Sequence, residues 1–217
     1  MHVIIRQLDR GYDMSDITVD SLSSQYLDVL KEIGNIGAGN AMTALAQMLG
    51  RKVDMKVPQV MLLDFPQVGE AMGGEETLMA GIYFKVDGDI TGSIMFLLEM
   101  ESAKALVAMM MGTEPSEEGF SDIEASALKE IGNIIAGSYL NSLALLTNLK
   151  IFPSVPDMTM DMAGAILSVP AIEFGETGDR MLFIQTHFFD EAKIQGYFIL
   201  VPEVSSYEKI LKTLGMA

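Results

Sequence analysis

The chain has 217 residues, 49% hydrophobic and 20% charged, which is globular composition, and its 14 Lys and Arg against 30 Asp and Glu leave a net charge of −16. With no local basic patch in the sequence, that charge repels a polyanion and excludes nucleic acid as a partner. No Cys and only two His, at positions 2 and 187, remove disulfides, thiolate metal sites and cysteine nucleophiles, and no metal site or Ser-His chemistry is expected of this chain.

In chain order, residues 1–21 are read as an N-terminal extension, a disordered arm or an upstream start. MHVIIRQLDRGYDM lacks the apolar core of a secretory signal, and no apolar run approaches the roughly 20 residues that span a bilayer, so a cytoplasmic protein without membrane insertion is expected. From about Ser23 to Leu49 the residues Leu27, Leu30, Ala41, Leu45 and Met48 fall on one side of a helical wheel. Ser23 or Ser24 is available as N-cap and Gly50 as terminator. Strand-like runs follow at Val53 to Leu63, Leu78 to Val86 and Ile90 to Leu98, with Asp87-Gly88 signalling a tight hairpin between the last two. A short helix is expected over Glu101 to Met111, then a polar, acidic connection from Thr113 to Gly119.

Ser121-Asp122-Ile123-Glu124 has capping-box spacing and opens a second long helix, to about Asn148. Met181 to Phe188 and Lys193 to Val201 read as a second hairpin, and Ser205 to Leu214 as a closing helix. This order repeats because the sequence repeats: LKEIGNIGAG at 30–39 returns as LKEIGNIIAG at 128–137, identical at nine of ten positions. One domain over 22–217 is expected, built from repeats at about 22–112 and 121–217. A half-sheet of this size hides little apolar surface alone. The expected class is therefore α+β, two similar halves related by a pseudo-two-fold axis, with long helices packed on a mainly antiparallel β-sheet. The 18 Met residues suit core gaps or a pliable binding surface, and core packing is the expected use.

On the first helix Asp28, Glu32 and Asn35 stand at i, i+4 and i+7, within an arc of roughly 60°, opposite the apolar face. Ser126, Glu130 and Asn133 repeat the geometry on the second. After 22 intervening residues each Asn is followed by a proline, Pro58 and Pro156. An ordinary solvated stripe explains any single copy. Two copies are harder to dismiss, because Asn is a mediocre helix former and each sits beside Gly34 or Gly132, a choice that costs up to about 1 kcal/mol. The run Gly34-Asn35-Ile36-Gly37-Ala38-Gly39 does not read as a phosphate loop, since no strand precedes it and Ile135 replaces Gly37 in the second copy. Gly34 with Ala38, and Gly132 with Ala136, read instead as small-residue strips for close helix packing.

A Glu and an Asn one turn apart on an exposed helix make no self-contained hydrolase. An Asn amide both donates and accepts, so it can orient a water, and a Glu can pair with a cation of a partner that supplies the metal and the phosphoryl group.

The pattern Asp/Ser-x3-Glu-x2-Asn-x22-Pro, present as Asp28, Glu32, Asn35, Pro58 and as Ser126, Glu130, Asn133, Pro156, resembles that of the CheC/CheX/FliY phosphatases of bacterial and archaeal chemotaxis. The resemblance spans about residues 22 to 215, and two intact motifs without an added flagellar-switch domain place it nearest the CheC branch. It implies hydrolysis of the aspartyl phosphate of the response regulator CheY. Asn35 and Asn133 would orient the attacking water, and Glu32 and Glu130 would pair with the regulator's active-site lysine. Asp28 and Ser126 would make supporting contacts, and Pro58 and Pro156 would shape the following connection. It further implies Mg2+ held by the regulator, the receptor deamidase CheD as a second partner, and a monomer. The alternative is a non-catalytic module that sequesters a regulator or controls CheD.

Overall fold

A strand buried along its whole length needs cover on both faces, and Gly92–Glu99, buried everywhere except at its last residue, is such a strand. The computed structural model describes residues 24–50, 52, 54–117, 119–174, 180–189 and 194–215. Their elements are α1 (Ser24–Leu49), β1 (Asp54–Asp64), α2 (Phe65–Ala71), β2 (Leu78–Gly88), β3 (Gly92–Glu99), α3 (Met100–Met111), α4 (Asp122–Thr147), β4 (Ile151–Pro153), β5 (Asp157–Met162), α5 (Ala163–Phe174), β6 (Arg180–Phe189), β7 (Ile194–Pro202) and α6 (Val204–Thr213).

The strands form one antiparallel sheet in the order β1-β6-β7-β3-β2-β4, and β5 continues the β4 edge along β2. Each half thus lends its first strand to the other half's hairpin. The pseudo-two-fold axis passes between β3 and β7, where Phe96 pairs with Phe198, its counterpart 102 residues on, and the two rings stack at 5.2 Å. Strand alternation sends two sets of side chains to two cores. Ala80, Ile82, Phe84, Phe96, Phe198 and Leu200 face the layer of α1, α3, α4 and α6. Met79, Met95, Leu97, Phe183 and Ile199 face α2 and α5. The fold is α+β with two halves, as expected from the repeat.

Four details depart from the sequence reading. Met48 keeps 37% exposure, because the buried row of α1 runs through Leu30, Ala41 and Leu45 into Leu49 and passes it by. Asp87-Gly88 is not a two-residue turn. Both residues stay in β2 and pair with Phe152 and Ile151, while Gly92 pairs with Val86, so the chain turns through a wider loop. Gly88 has φ of 118°, and a Cβ there would run into the Lys150 carbonyl, so glycine serves a close approach. That loop binds the second half: the Lys150 N–H and the Lys209 ammonium both meet Asp89, whose carboxyl they hold below its ordinary range, the Lys150 bond most. Third, α2, β4, β5 and α5 were not anticipated, although Asp64-Phe65-Pro66-Gln67 forms a full capping box with Pro in the first turn. Fourth, the glycine of α1 that packs tightly on its neighbour is Gly37, where a Cβ would lie 3.0 Å from the Tyr139 Cα; Gly34 instead borders an apolar cavity of about 40 Å³. Met72, Met79, Met95 and Met181 are buried in the core as expected, whereas Met111, Met160 and Met162 are exposed.

The N-cap proposed at Ser23 lies outside the described residues. At the other helix, Ser121 closes the capping box with Glu124, its N–H and hydroxyl donating to the Glu124 carboxylate at 2.8 and 2.7 Å. Ser121→Ala is expected to destabilise the protein by about 1 kcal/mol. The Ser121 backbone bond first, then the hydroxyl, holds the Glu124 carboxyl below its ordinary 4.5. A folded-state value below the unfolded one stabilises above the unfolded value and is lost as pH falls through the folded one. The difference in melting temperature between wild type and Ser121→Ala should therefore narrow below about pH 4.5.

Candidate functional site on two helix flanks

Gly34-Asn35 and Gly132-Asn133 lie inside uninterrupted helices, so the glycines form no phosphate-binding turn. Asp28, Glu32 and Asn35 are all exposed on α1, and Ser126, Glu130 and Asn133 on α4. Among the described residues no hydrogen bond or ion pair engages the side chains of Glu32, Asn35, Glu130 or Asn133, which leaves each Asn amide and each carboxylate open to a partner. Ser126 is different: its hydroxyl donates to the Asp122 carbonyl at 2.8 Å, inside the first turn of its own helix.

Spacing alone does not say where each stripe points relative to the sheet; the packing does. Gly132 sits on β2, where a Cβ would come within 3.0 Å of Ile82, so α4 lies over that side of the sheet. Leu30, Ile33 and Gly34 share the cavity with Leu182, Ile184 and Leu200, so α1 lies over β6 and β7. The helices touch where the Asn40 amide donates to the Ser142 hydroxyl at 3.3 Å. Asn133 stands nine residues before Ser142, half a turn round the helix, and therefore faces away from α1, toward the β5 edge. On α1, Asn35 lies about 140° from Asn40 and faces away from α4, toward the β1 edge. The structure thus brings together the members of each trio but not the two trios, which occupy opposite flanks of the helix pair.

The prolines mark the edges. In β1 one extra residue is accommodated between Lys56 and Gln59, so Val57-Pro58 bulges against β6. At the other edge β4 and β5 are separated at Ser154-Val155-Pro156. A residue without an N–H interrupts a ladder at each place. Among the described residues no group of three or more His, Asp and Glu is placed to hold a metal ion, and no helix is long and apolar enough to cross a membrane.

The CheC-like family model matches residues 26–62 and 123–160, the two helices with the segments that follow them. Over 202 residues, 90% of this chain and 97% of the relative, the sequence is 36% identical to the CheY-P phosphatase CheC of Bacillus subtilis. The crystal structure of Thermotoga maritima FliY covers 90% of this chain and 98% of its own with a TM-score of 0.70 at 22% identity. The FliM middle domain from H. pylori covers 88% of this chain and 99% of its own at a TM-score of 0.66 and 13% identity. The last two establish a shared fold only.

Proposed function

This chain belongs to the CheC-like family, and on that premise we propose that it accelerates hydrolysis of the aspartyl phosphate of the response regulator CheY. The observation that carries the reading is the duplicated, outward-facing Glu and Asn on α1 and α4, joined to 36% identity over nearly the whole of a CheY-P phosphatase. Fold alone would not carry it.

In the proposed reaction each helix lies against the receiver's phosphorylated site. The Asn35 or Asn133 amide holds a water in line with the phosphorus. The water oxygen forms a bond to phosphorus as the bond to the aspartyl oxygen breaks, which yields inorganic phosphate and a free carboxylate; the water's protons pass to solvent and phosphate. Glu32 or Glu130 accepts from the receiver's active-site lysine and seats the helix, while Asp28 and Ser126 support the helix end. The Mg2+ that neutralises the phosphoryl oxygens belongs to the receiver. Positioning and charge stabilisation suffice for such a step, so this chain needs no nucleophile of its own. We further propose that the protein acts in the cytoplasm as a monomer with two faces, and that CheD is its second partner.

The test is decay of radiolabelled phospho-CheY with catalytic amounts of the protein, for which accelerated decay with turnover is expected. Unchanged decay despite tight binding would favour the sequestering module. Glu32→Lys/Glu130→Lys should chiefly weaken association, about tenfold or more at low ionic strength, because attraction becomes repulsion. Affinity for beryllofluoride-activated CheY checks this, and an unchanged affinity would remove the two Glu from the interface.

A further inference from the structure

One margin of the sheet carries an apolar row that the core leaves uncovered. Met158, Met160 and Met162 of β5 stand opposite Ile82, Ala80 and Leu78 of β2. Directly opposed residues share a face, and Ala80, Ile82 and Met158 belong to or pack on the core beneath α4, so the whole row lies on the α4 side. Leu78, Met160 and Met162 are nevertheless 54%, 45% and 50% exposed. The first half differs at both ends of the corresponding row: 98 residues earlier Val60 is 8% exposed in place of Met158, and Asp64 stands in place of Met162.

The row lies under the second polar stripe. Helix α4 rests on Ile82 at Gly132, and its C-terminal end leads through Asn148 to Lys150 into β4, which pairs with Val86 to Gly88. Its N-terminal turns therefore run toward Leu78 and Met162, with Ser126, Glu130 and Asn133 on the flank above β5.

We propose that Leu78, Met160 and Met162 form the apolar part of the receiver-docking surface of the second face, continuous with Glu130 and Asn133; this rests on the functional reading above. Methionine suits a surface that must mould to a partner. A second copy of this chain fits poorly. An antiparallel pairing of two β5 edges centred on Thr159 would set Asp157 against Asp161 twice, and like charges directly opposed are destabilising. The same two carboxylates, on the other side of β5, favour an occupant with basic groups beside its apolar patch.

Kinetics with single faces test the proposal. In an Asn35→Ala background, where the second face turns over alone, Met160→Glu/Met162→Glu should raise KM for phospho-CheY about tenfold and leave kcat unchanged, while Met160→Leu/Met162→Leu keeps KM near that of the parent. In an Asn133→Ala background the Glu pair should change nothing. An unchanged KM in the first background, or an equal rise in both, would overturn the docking row. Calorimetric titration with beryllofluoride-activated CheY reads the same surface without turnover. Wild type should take up two equivalents and the Glu pair one at concentrations that saturate the first face. Two undiminished equivalents defeat the docking row alone, whereas no uptake by wild type defeats the functional reading and this inference with it.

Discussion

Asn35→Ala/Asn133→Ala is expected to return the decay of phospho-CheY to its unaided rate, a loss of about 10²-fold or whatever lesser acceleration the wild type supplies, because a water no longer held in line gains nothing from proximity. Both side chains are exposed, and among the described residues neither enters a hydrogen bond. Ala is also the better helix former, by about 0.5 kcal/mol or more per site, so the double variant should melt at or above the wild-type temperature. Activity and stability then move in opposite directions, which general damage to the protein would not produce. Each single variant should keep the face that it leaves intact, since the two Asn point to opposite edges of the sheet. Full acceleration by the double variant would remove the amides from the chemistry. Loss of activity with a lowered melting temperature would trace the effect to the fold.

How much of this was legible depends on whether the signal was local. The Asp28-Glu32-Asn35 and Ser126-Glu130-Asn133 trios were readable because helical spacing alone puts them on one face, and the 98-residue repeat paired them. The closing helices and both hairpins came from local periodicity. β5 was missed because its Met and Asp residues lack the β-branched and aromatic content of a strand, and it exists through pairing with β2. The helix α5 carries Pro170 inside an otherwise apolar run, which weakens a helical pattern that the core beneath it sustains. Gly88 misled because the backbone approach that requires glycine comes from Lys150, 62 residues away, and not from a hairpin of its own. The facing of the two stripes was beyond local reading altogether. It rests on which helix touches which at Asn40 and Ser142.

The same interlocking makes Phe198→Ala the substitution with the largest expected effect on stability. Phe198 is fully buried at the centre of the sheet, stacked on Phe96 at 5.2 Å and on Tyr139 of α4 at 4.7 Å. Its removal takes contacts from β3 and α4 together, at the point where the halves meet. Such a truncation costs about 3–5 kcal/mol in lost transfer energy and residual cavity, a large share of the roughly 5–15 kcal/mol that keeps a domain folded. Urea titration should show the midpoint falling with an unchanged slope, and Phe198→Leu should recover most of the loss. Tyr139 also carries the close contact with Gly37 of α1, so a slackened Phe198 site loosens the seat of both active helices. Any residual phosphatase activity should therefore fall on both faces in parallel, unlike a change at Asn35 or Asn133, which is expected to silence one. A loss below about 1 kcal/mol would mean that Phe96 and Tyr139 close over the vacancy and that the axis is not the keystone its burial makes it.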